Sequence, residues 1–400
     1  MNSPLAPVIA TPVLSNNQTF GHQPLKVMHF VTGGFTGSTK VAIDIIRAAK
    51  SDPAFSSMLV LRKKSSTDIE RVAQLQREGI SLKLVAGWSH LATIIELLRI
   101  CREYQPDILV THGFSEHLWG RYAGLLARVP RMIHVEHNSR ERYTPFRLLQ
   151  ARWLANYTDK IIGCSEGVRA RLLELGFPAH KVDAINNGIQ LTDFAAAEAQ
   201  PLVGRLPDII MPARFAKQKD HATLIKAIAL LRDKNITPNV FFAGAGSKRH
   251  IEKAKKLANE LQLDEQINFA GHCGNLPFLL MRHQICVLST RYEGMPLALA
   301  EGMAAGCAVI GSAVVGVKEM INHGNDGLLV KPQCAQALAD AIELLLENTA
   351  YAQELAIQGR QRAIAEFSLA RMANRYEQLF FDVQQSAPAT LNEQLVLDNG

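Results

Sequence analysis

Four hundred residues, 48% of them apolar and 20% charged, exceed one ordinary hydrophobic core and suit two. That composition excludes intrinsic disorder, a fibrous repeat and a disulfide-stapled miniprotein as descriptions of the whole chain, and no long uninterrupted apolar window offers a membrane-spanning helix. The net charge of +6 is uneven: residues 1–190 hold 23 basic and 15 acidic side chains, residues 191–400 hold 20 and 22, so the first half is expected to meet something anionic.

Residues 1–24 lack Lys and Arg, and Pro4, Pro7 and Pro12 interrupt their apolar stretch. They read as a disordered tail rather than a secretory signal. Short β-branched runs then fall at 26–32, 57–61, 80–85, 107–111, 131–136, 160–164 and 182–185, alternating with helical patterns such as 40–50 and 92–104. Gly33, Gly34 and Gly37 follow the first run as GGxxG. This is not a dinucleotide fingerprint, but such a turn either lets a ligand approach the backbone or is simply a turn. His112 ends the fourth run. His134 and His137 stand three apart on a strand, face opposite sides and are poorly placed to share a metal. His137, followed by Asn138, either points into a cleft or is a satisfied core histidine.

Residues 139–155 interleave Arg140, Arg142, Arg147 and Arg152 with Tyr143, Phe146, Leu149 and Trp153. A helix from Pro145 puts Phe146, Leu149 and Trp153 on one stripe bordered by arginines. That stripe fits a lipid headgroup region, and it equally fits an ordinary helix facing its own core. Nucleic acid is the poorest anionic partner, since no zinc finger, RNP-like aromatic pattern or basic zipper is visible.

The Ala-rich segment 191–207 holds two prolines and no strand pattern, and is expected to link a first domain, 25–190, to a second, 208–385, with a loose tail at 386–400. Strand runs resume at 208–212, 239–243, 266–270, 284–289, 308–311 and 327–330, with helices at 222–234, 250–261 and 335–346. A last helix near 369–383 is free to dock on either domain. About a dozen runs is too many for one twisted open sheet. The expected class is α/β: two doubly wound, Rossmann-like domains with a ligand cleft between them, at the carboxyl ends of the strands. Cys101, Cys164, Cys273, Cys286, Cys307 and Cys334 form no CxxC pair, which suits reduced, mostly buried thiols, and no metal cluster stands out.

Chemistry concentrates in the second half. Residues 292–306 (YEGMPLALAEGMAAG) follow a strand and open a helix. Pro296 suits the first helical turn, leaving the N–H groups near Gly294, Met295 and Leu297 unpaired at a positive helix end that attracts phosphate. Glu293 and Glu301 sit in this crowded setting, at most about 12 Å apart if the segment is helical throughout. They either bind something or are a loop charge and a surface charge. Arg214 and Lys219 in PARFAKQKDH lie in the loop after the first strand of the second half; they form either a diphosphate clamp or a solvated basic loop. Gly244 and Gly246 (FAGAG) make a second glycine turn.

Together these segments, from about Lys26 to Val383, resemble the retaining GT-B glycosyltransferases of family 4. The most specific match is the E-x7-E element from Glu293 to Glu301. The first-loop Gly33–Gly34, the HN at His137, CSEGV at Ser165, NNGI at Asn187–Gly188, the R-x4-K pair Arg214–Lys219, FAGAG, NFAGH and NDGLLV support it. The first loop departs from the family's common pattern, in which GG often precedes an acidic residue; here it reads GGFTGST. The resemblance implies a nucleotide-sugar donor bound mainly by the second domain. It assigns Glu301 to the ribose, Glu293 to the transferred sugar, Arg214 and Lys219 to the diphosphate and His137 to the sugar near the reacting carbon. It implies no metal and no cofactor, with Gly34 and the 294–297 turn lining the donor site. The implied activity is hexosyl transfer, retaining anomeric configuration, to a lipid-linked or glycan acceptor for surface polysaccharide or lipopolysaccharide, in the cytoplasm and on the inner membrane face. A sugar-nucleotide epimerase of similar architecture and a non-catalytic nucleotide-sugar-binding module are the alternatives.

Overall fold

The computed structural model describes residues 23–35, 37–65, 67–113, 116–139 and 143–386. Of the expected tails at 1–24 and 386–400, residues 1–22 and 387–400 lie outside the described residues, as do Arg140 and Arg142. The first sheet is built from β1 (Leu25–Thr32), β2 (Phe55–Arg62), β3 (Ser81–Val85), β4 (Ile108–His112), β5 (Arg131–Glu136), β6 (Lys160–Gly163) and β7 (Val182–Ala184). Its order is β3-β2-β1-β4-β5-β6-β7, with every neighbour parallel. The crossovers are α1 (Gly37–Ala49), α2 (Ile69–Arg77), α3 (His90–Tyr104), α4 (Glu116–Ala127), α5 (Pro145–Ala155) and α6 (Glu166–Glu174).

The second sheet holds β8 (Leu206–Pro212), β9 (Val240–Ala243), β10 (Ile267–Gly271), β11 (His283–Leu288), β12 (Ala308–Ser312) and β13 (Leu328–Val330), ordered β10-β9-β8-β11-β12-β13, again parallel. Its helices are α7 (His221–Arg232), α8 (Lys248–Glu260), α9 (Leu276–Arg282), α10 (Leu297–Ala304), α11 (Val315–Lys318), α12 (Ala335–Glu347) and α13 (Thr349–Glu366); the chain ends in α14 (Leu369–Gln385). The two doubly wound parallel units expected from the sequence are present, each strand within two residues of its expected span. Parallel strands covered on both faces read as continuous apolar runs, which is why they were legible.

Alternation decides what each face of the first sheet buries. Val27 of β1 packs with Val41 and Ile45 of α1 and with Tyr376 and Phe380 of α14. Met28 and Phe30 turn instead to Leu97 of α3 and Ala123 of α4. The last helix therefore docks on the first sheet, although α13 before it belongs to the second. The NNGI turn makes the crossing point: Ile189 bridges Ser368, and a Cβ at Gly188 would lie 2.6 Å from Leu369 Cα. The expected linker is not loose. It forms short 3-10 turns at Leu191–Ala199 and Leu202–Gly204, buries Phe194 and Leu202, and gives way to β8 at Leu206. Cys101, Cys164, Cys286 and Cys307 are buried, and Cys273 and Cys334 are half-buried.

Candidate functional site

The helix at 297–304 is shorter than expected at its start. Pro296 is the N-cap, with φ −78° and ψ 108°, rather than a first-turn residue, and no side chain caps the helix. An extended ψ at a proline directs the preceding turn away from the helix axis, so Glu293 lies in that turn and the all-helical spacing to Glu301 does not apply. Among the described residues, no protein acceptor takes the backbone N–H of Gly294, Met295 or Leu297. Such groups at a helix start favour an anion. The Met295 side chain turns inward; it is buried, and its Sδ accepts the Asn187 N–H at 3.1 Å.

Glu293 is 5% exposed. Its Oε1 accepts from Lys219 Nζ at 2.5 Å and from the Thr290 hydroxyl at 2.7 Å, and its Oε2 accepts from Gln218 Nε2 at 3.2 Å. Lys219 and Thr290 are brought together by a short antiparallel bridge between the β8–α7 loop and the end of β11. The expected pairing of Lys219 with Arg214 as two free cations is thus modified: Lys219 is partnered with Glu293, whereas Arg214 is exposed and, among the described residues, makes no hydrogen bond or ion pair. A lysine ammonium has three donors, and Glu293 takes one. Gly244 and Gly246 let the β9 loop press on the Arg214 loop; a Cβ at Gly244 would sit 2.1 Å from Ala213 O.

The first unit closes over this cluster. Ser139 Oγ donates to Glu293 O at 2.6 Å. Ser165, which caps α6 through the Val168 N–H, donates its hydroxyl to Gly294 O at 3.1 Å. A Cβ at Gly294 would lie 2.3 Å from His137 O, so only glycine allows this approach. Lys40 of α1 donates to Glu301 Oε1 at 2.8 Å. Burial works against the charged Lys40 amine, yet Glu301, aided by Asp44 and Asp193, holds its pKa above the ordinary value. Asp44, beside it, is pushed up to about 6, chiefly by burial. Sequence reasoning missed Lys40, Ser139, Gln218 and Thr290. Among the described residues, a Cβ at Gly34 would meet nothing within 4 Å.

His134 and His137 separate as their spacing demands. His137 Nε2 contacts His112 Nδ1 at 3.1 Å, and burial lowers the His137 pKa to about 4. His134 turns to His117 and Glu136, and the ligand atoms of these three lie within 4.8 Å, a grouping the sequence hid because His117 comes from α4. Both ring nitrogens of His117 are engaged, by Arg121 Nη2 at 2.7 Å and by the Tyr143 hydroxyl at 3.2 Å. A guanidinium so close opposes a cation, and the group fits a polar network behind the β5 turn, where Glu136 Oε1 accepts the His137 N–H at 2.9 Å.

The stripe on α5 faces outward. Phe146, Leu149 and Trp153 are 68%, 66% and 45% exposed, while Ala151, Leu154 and Ala155 form the buried face. Stacked rings of His90, Trp119, Tyr122 and Trp153 tie α3, α4 and α5 into one surface that also exposes Trp88 and Leu91. Among the described residues no helix is long and apolar enough to cross a membrane. A cavity of about 710 Å³ near Asp208, Phe241 and His283 lies at the opposite, amino end of the second sheet, where open α/β sheets do not place ligands.

Residues 195–362 match the family described as Glycosyl transferases group 1, and residues 37–193 that described as Glycosyltransferase Family 4. The chain is 23% identical over 359 residues (89% of it and 98% of the relative) to the lipopolysaccharide core biosynthesis glycosyltransferase LpsE of Rhizobium meliloti. It is 22% identical over 312 residues (73% and 80%) to the UDP-Gal:alpha-D-GlcNAc-diphosphoundecaprenol alpha-1,3-galactosyltransferase of Escherichia coli. Among solved structures, Anabaena Alr3699/HepE in complex with UDP-glucose superposes with a TM-score of 0.78 at 18% identity, covering 90% of this chain and 100% of that one.

Proposed function

We propose that this chain, which belongs to the glycosyltransferases of GT-B fold, moves a hexose from a nucleotide-sugar donor to a lipid-linked or glycan acceptor of surface polysaccharide or lipopolysaccharide, with retention of configuration. One observation carries the reading: a buried carboxylate, Glu293, is held by Lys219 in a turn that touches the His137 carbonyl across the two units. Oε1 of Glu293 already accepts twice, whereas Oε2 accepts once and keeps a lone pair for a sugar hydroxyl. The two remaining Lys219 donors, Arg214 and the N–H groups of Gly294, Met295 and Leu297 suit the diphosphate, and Gly34 and Pro296 are assigned to the lining of the donor site. Glu301, sharing Oε1 with Lys40, suits the ribose diol through Oε2.

In the reaction the bond from the anomeric carbon to the leaving phosphate oxygen breaks. The acceptor oxygen bonds to that carbon on the same face, and the acceptor proton passes to the departing phosphate. The protein contributes position and charge stabilisation: cations face the growing phosphate charge, and Glu293 and His137 hold the sugar. Metal and cofactor have no assigned role in this scheme. The relative from Escherichia coli takes its name from a UDP-sugar and a diphosphoundecaprenol acceptor, and the Anabaena structure contains UDP-glucose, which favours uridine as the base. The exposed α3–α5 surface supports docking on an anionic membrane from the cytoplasmic side, beside the cleft.

The test is a thermal-shift series with UDP-, GDP- and ADP-hexoses, followed by assay of nucleoside diphosphate release with and without a polyprenyl-diphosphate-sugar acceptor. A ligand at 100 times its Kd should stabilise the fold by about 2.7 kcal/mol. Acceptor-dependent release supports transfer. A changed sugar released without acceptor points to an epimerase, and no shift with any donor refutes the reading.

A further inference from the structure

We infer that His112 and His29 are positioning residues of the sugar site, the inner members of a three-imidazole row that holds His137 in the tautomer with its proton on Nδ1. This rests on the role proposed above for His137 and extends it to two side chains that touch no substrate. His137 Nε2 lies 3.1 Å from His112 Nδ1, and His112 Nε2 lies 3.1 Å from His29 Nδ1. The rings lie edge to edge and near one plane, with centroids 5.4 Å apart in both pairs and interplanar angles of 18° and 26°. The three residues come from the end of β5, from β4 and from β1, which are adjacent strands. Their parity places them on the face covered by α1 and α14, and Phe380 of α14 meets His29 edge-on at 6.0 Å. His29 and His112 are buried.

Each N···N contact needs one proton between its two nitrogens. Burial keeps the rings neutral, lowering His29 to about 3, His137 to about 4 and His112 well below its ordinary value. Three neutral imidazoles and two contacts leave two arrangements. In one, His29 Nδ1–H donates to His112 Nε2, His112 Nδ1–H donates to His137 Nε2, and His137 carries its proton on Nδ1. In the other every donor is reversed, and the row ends in an N–H at His29 Nε2. That atom is buried and, among the described residues, has no hydrogen-bond partner. The reversed arrangement would therefore strand a buried donor, the less tolerated of the two faults, whereas the first leaves only a bare lone pair. His137 Nδ1 has no partner among the described residues, and His137 is only half-buried at the end of β5, so its proton is available to a sugar oxygen.

The experiment reads ring-nitrogen shifts of 15N-histidine-labelled protein, then compares His29→Asn, whose amide N–H replaces the Nδ1 donor, with His29→Leu, which has none. Expected are an Nδ1–H tautomer at His137 in the unaltered protein and in His29→Asn, and a tautomer mixture in His29→Leu. In His29→Leu, kcat should fall about tenfold with donor KM little changed, the effect of one neutral hydrogen bond, and His29→Asn should restore it. An Nε2–H tautomer at His137 in the unaltered protein overturns the inference without any variant. So does a His29→Leu protein that keeps both the Nδ1–H tautomer and full kcat. The spectra need no donor sugar: if they come out as expected but no nucleotide sugar turns over, the proposed function fails and the row stands.

Discussion

Replacing Glu293 by Gln keeps the shape of the side chain and removes its charge, and the surrounding donors make the outcome calculable. Lys219, Thr290 and Gln218 all donate to this carboxylate. A Gln amide has one acceptor oxygen. If that oxygen takes the Oε1 place, the NH2 faces Gln218 Nε2, which cannot turn round because it also donates to Tyr292 O at 2.8 Å. If the amide turns over, its NH2 faces the Lys219 ammonium. Either way at least one donor is left unpaired, at a cost of about 1–3 kcal/mol. The lower half of that range is favoured because Lys219, 15% exposed, can recruit water from the cleft. The donor sugar loses a hydrogen bond to a charged group, about 1.5–3 kcal/mol, or roughly 10- to 150-fold in kcat/KM.

The assay is nucleoside diphosphate release at saturating acceptor, with chemical denaturation alongside. Lys219→Met and the double variant complete a cycle: if the pair is one unit, the double variant should be less destabilised than the sum of the singles by more than about 0.5 kcal/mol. A Glu293→Gln enzyme with unchanged kcat/KM would refute the sugar-binding role, and an additive cycle would refute the coupling read from the geometry.

Three further outcomes are expected. Asp44, its pKa raised to about 6 by burial against an ordinary value of about 3.9, binds more protons folded than unfolded between those values, so its ionisation lowers stability as pH rises through them. Asp44→Asn should therefore melt above the unaltered protein at pH 7.5, by up to about 3 kcal/mol of stability, with the gap closing below about pH 4; a pH-independent gap contradicts this. Gly294→Ala sets a methyl 2.3 Å from His137 O and should cost turnover on the order of 100-fold by spreading the two loops, while normal turnover would mean that they are not apposed in the working enzyme. Arg147→Gln with Arg152→Gln should weaken sedimentation with anionic vesicles by roughly 30-fold, at about 1 kcal/mol per charge, and identical vesicle binding removes the membrane-docking role.

Most of the fold was legible because both sheets are parallel and buried, so each strand announced itself as an apolar run bounded by turn residues. What failed did so for local reasons. The α5 segment has two apolar faces, Phe146–Leu149–Trp153 and Ala151–Leu154–Ala155, and helical spacing does not say which is turned inward. The smaller, closer-packing face won. Pro296 is compatible with either the first helical position or the cap, and only ψ separates them. Lys40 and Glu301 meet across 261 positions and Gln218 and Glu293 across 75, in a fold whose relative strand placement the sequence does not state. The histidine row was hidden in the same way, since parity puts each ring on a known face of its strand only once the order β1-β4-β5 is known.

The site also depends on the two units being held together, and the fold meets this with crossings at its two ends. The α14 helix leaves the second unit and lies across β1, β4 and β5 of the first, covering His29 through Phe380. At the cleft, Ser139 and Ser165 reach the carbonyls of Glu293 and Gly294, and Lys40 reaches Glu301. Every one of these cleft contacts ends on the 293–301 element, so the residues proposed to hold the sugar and ribose are shaped by side chains of the unit that does not carry them. A donor would therefore bind more tightly to the closed arrangement than to an open one, since its ribose would share with Lys40 the Glu301 carboxylate that now serves the closure. Donor binding and closure are then one equilibrium, and changes at Lys40 or Ser139 should act on the donor although neither belongs to the sheet that carries its proposed site.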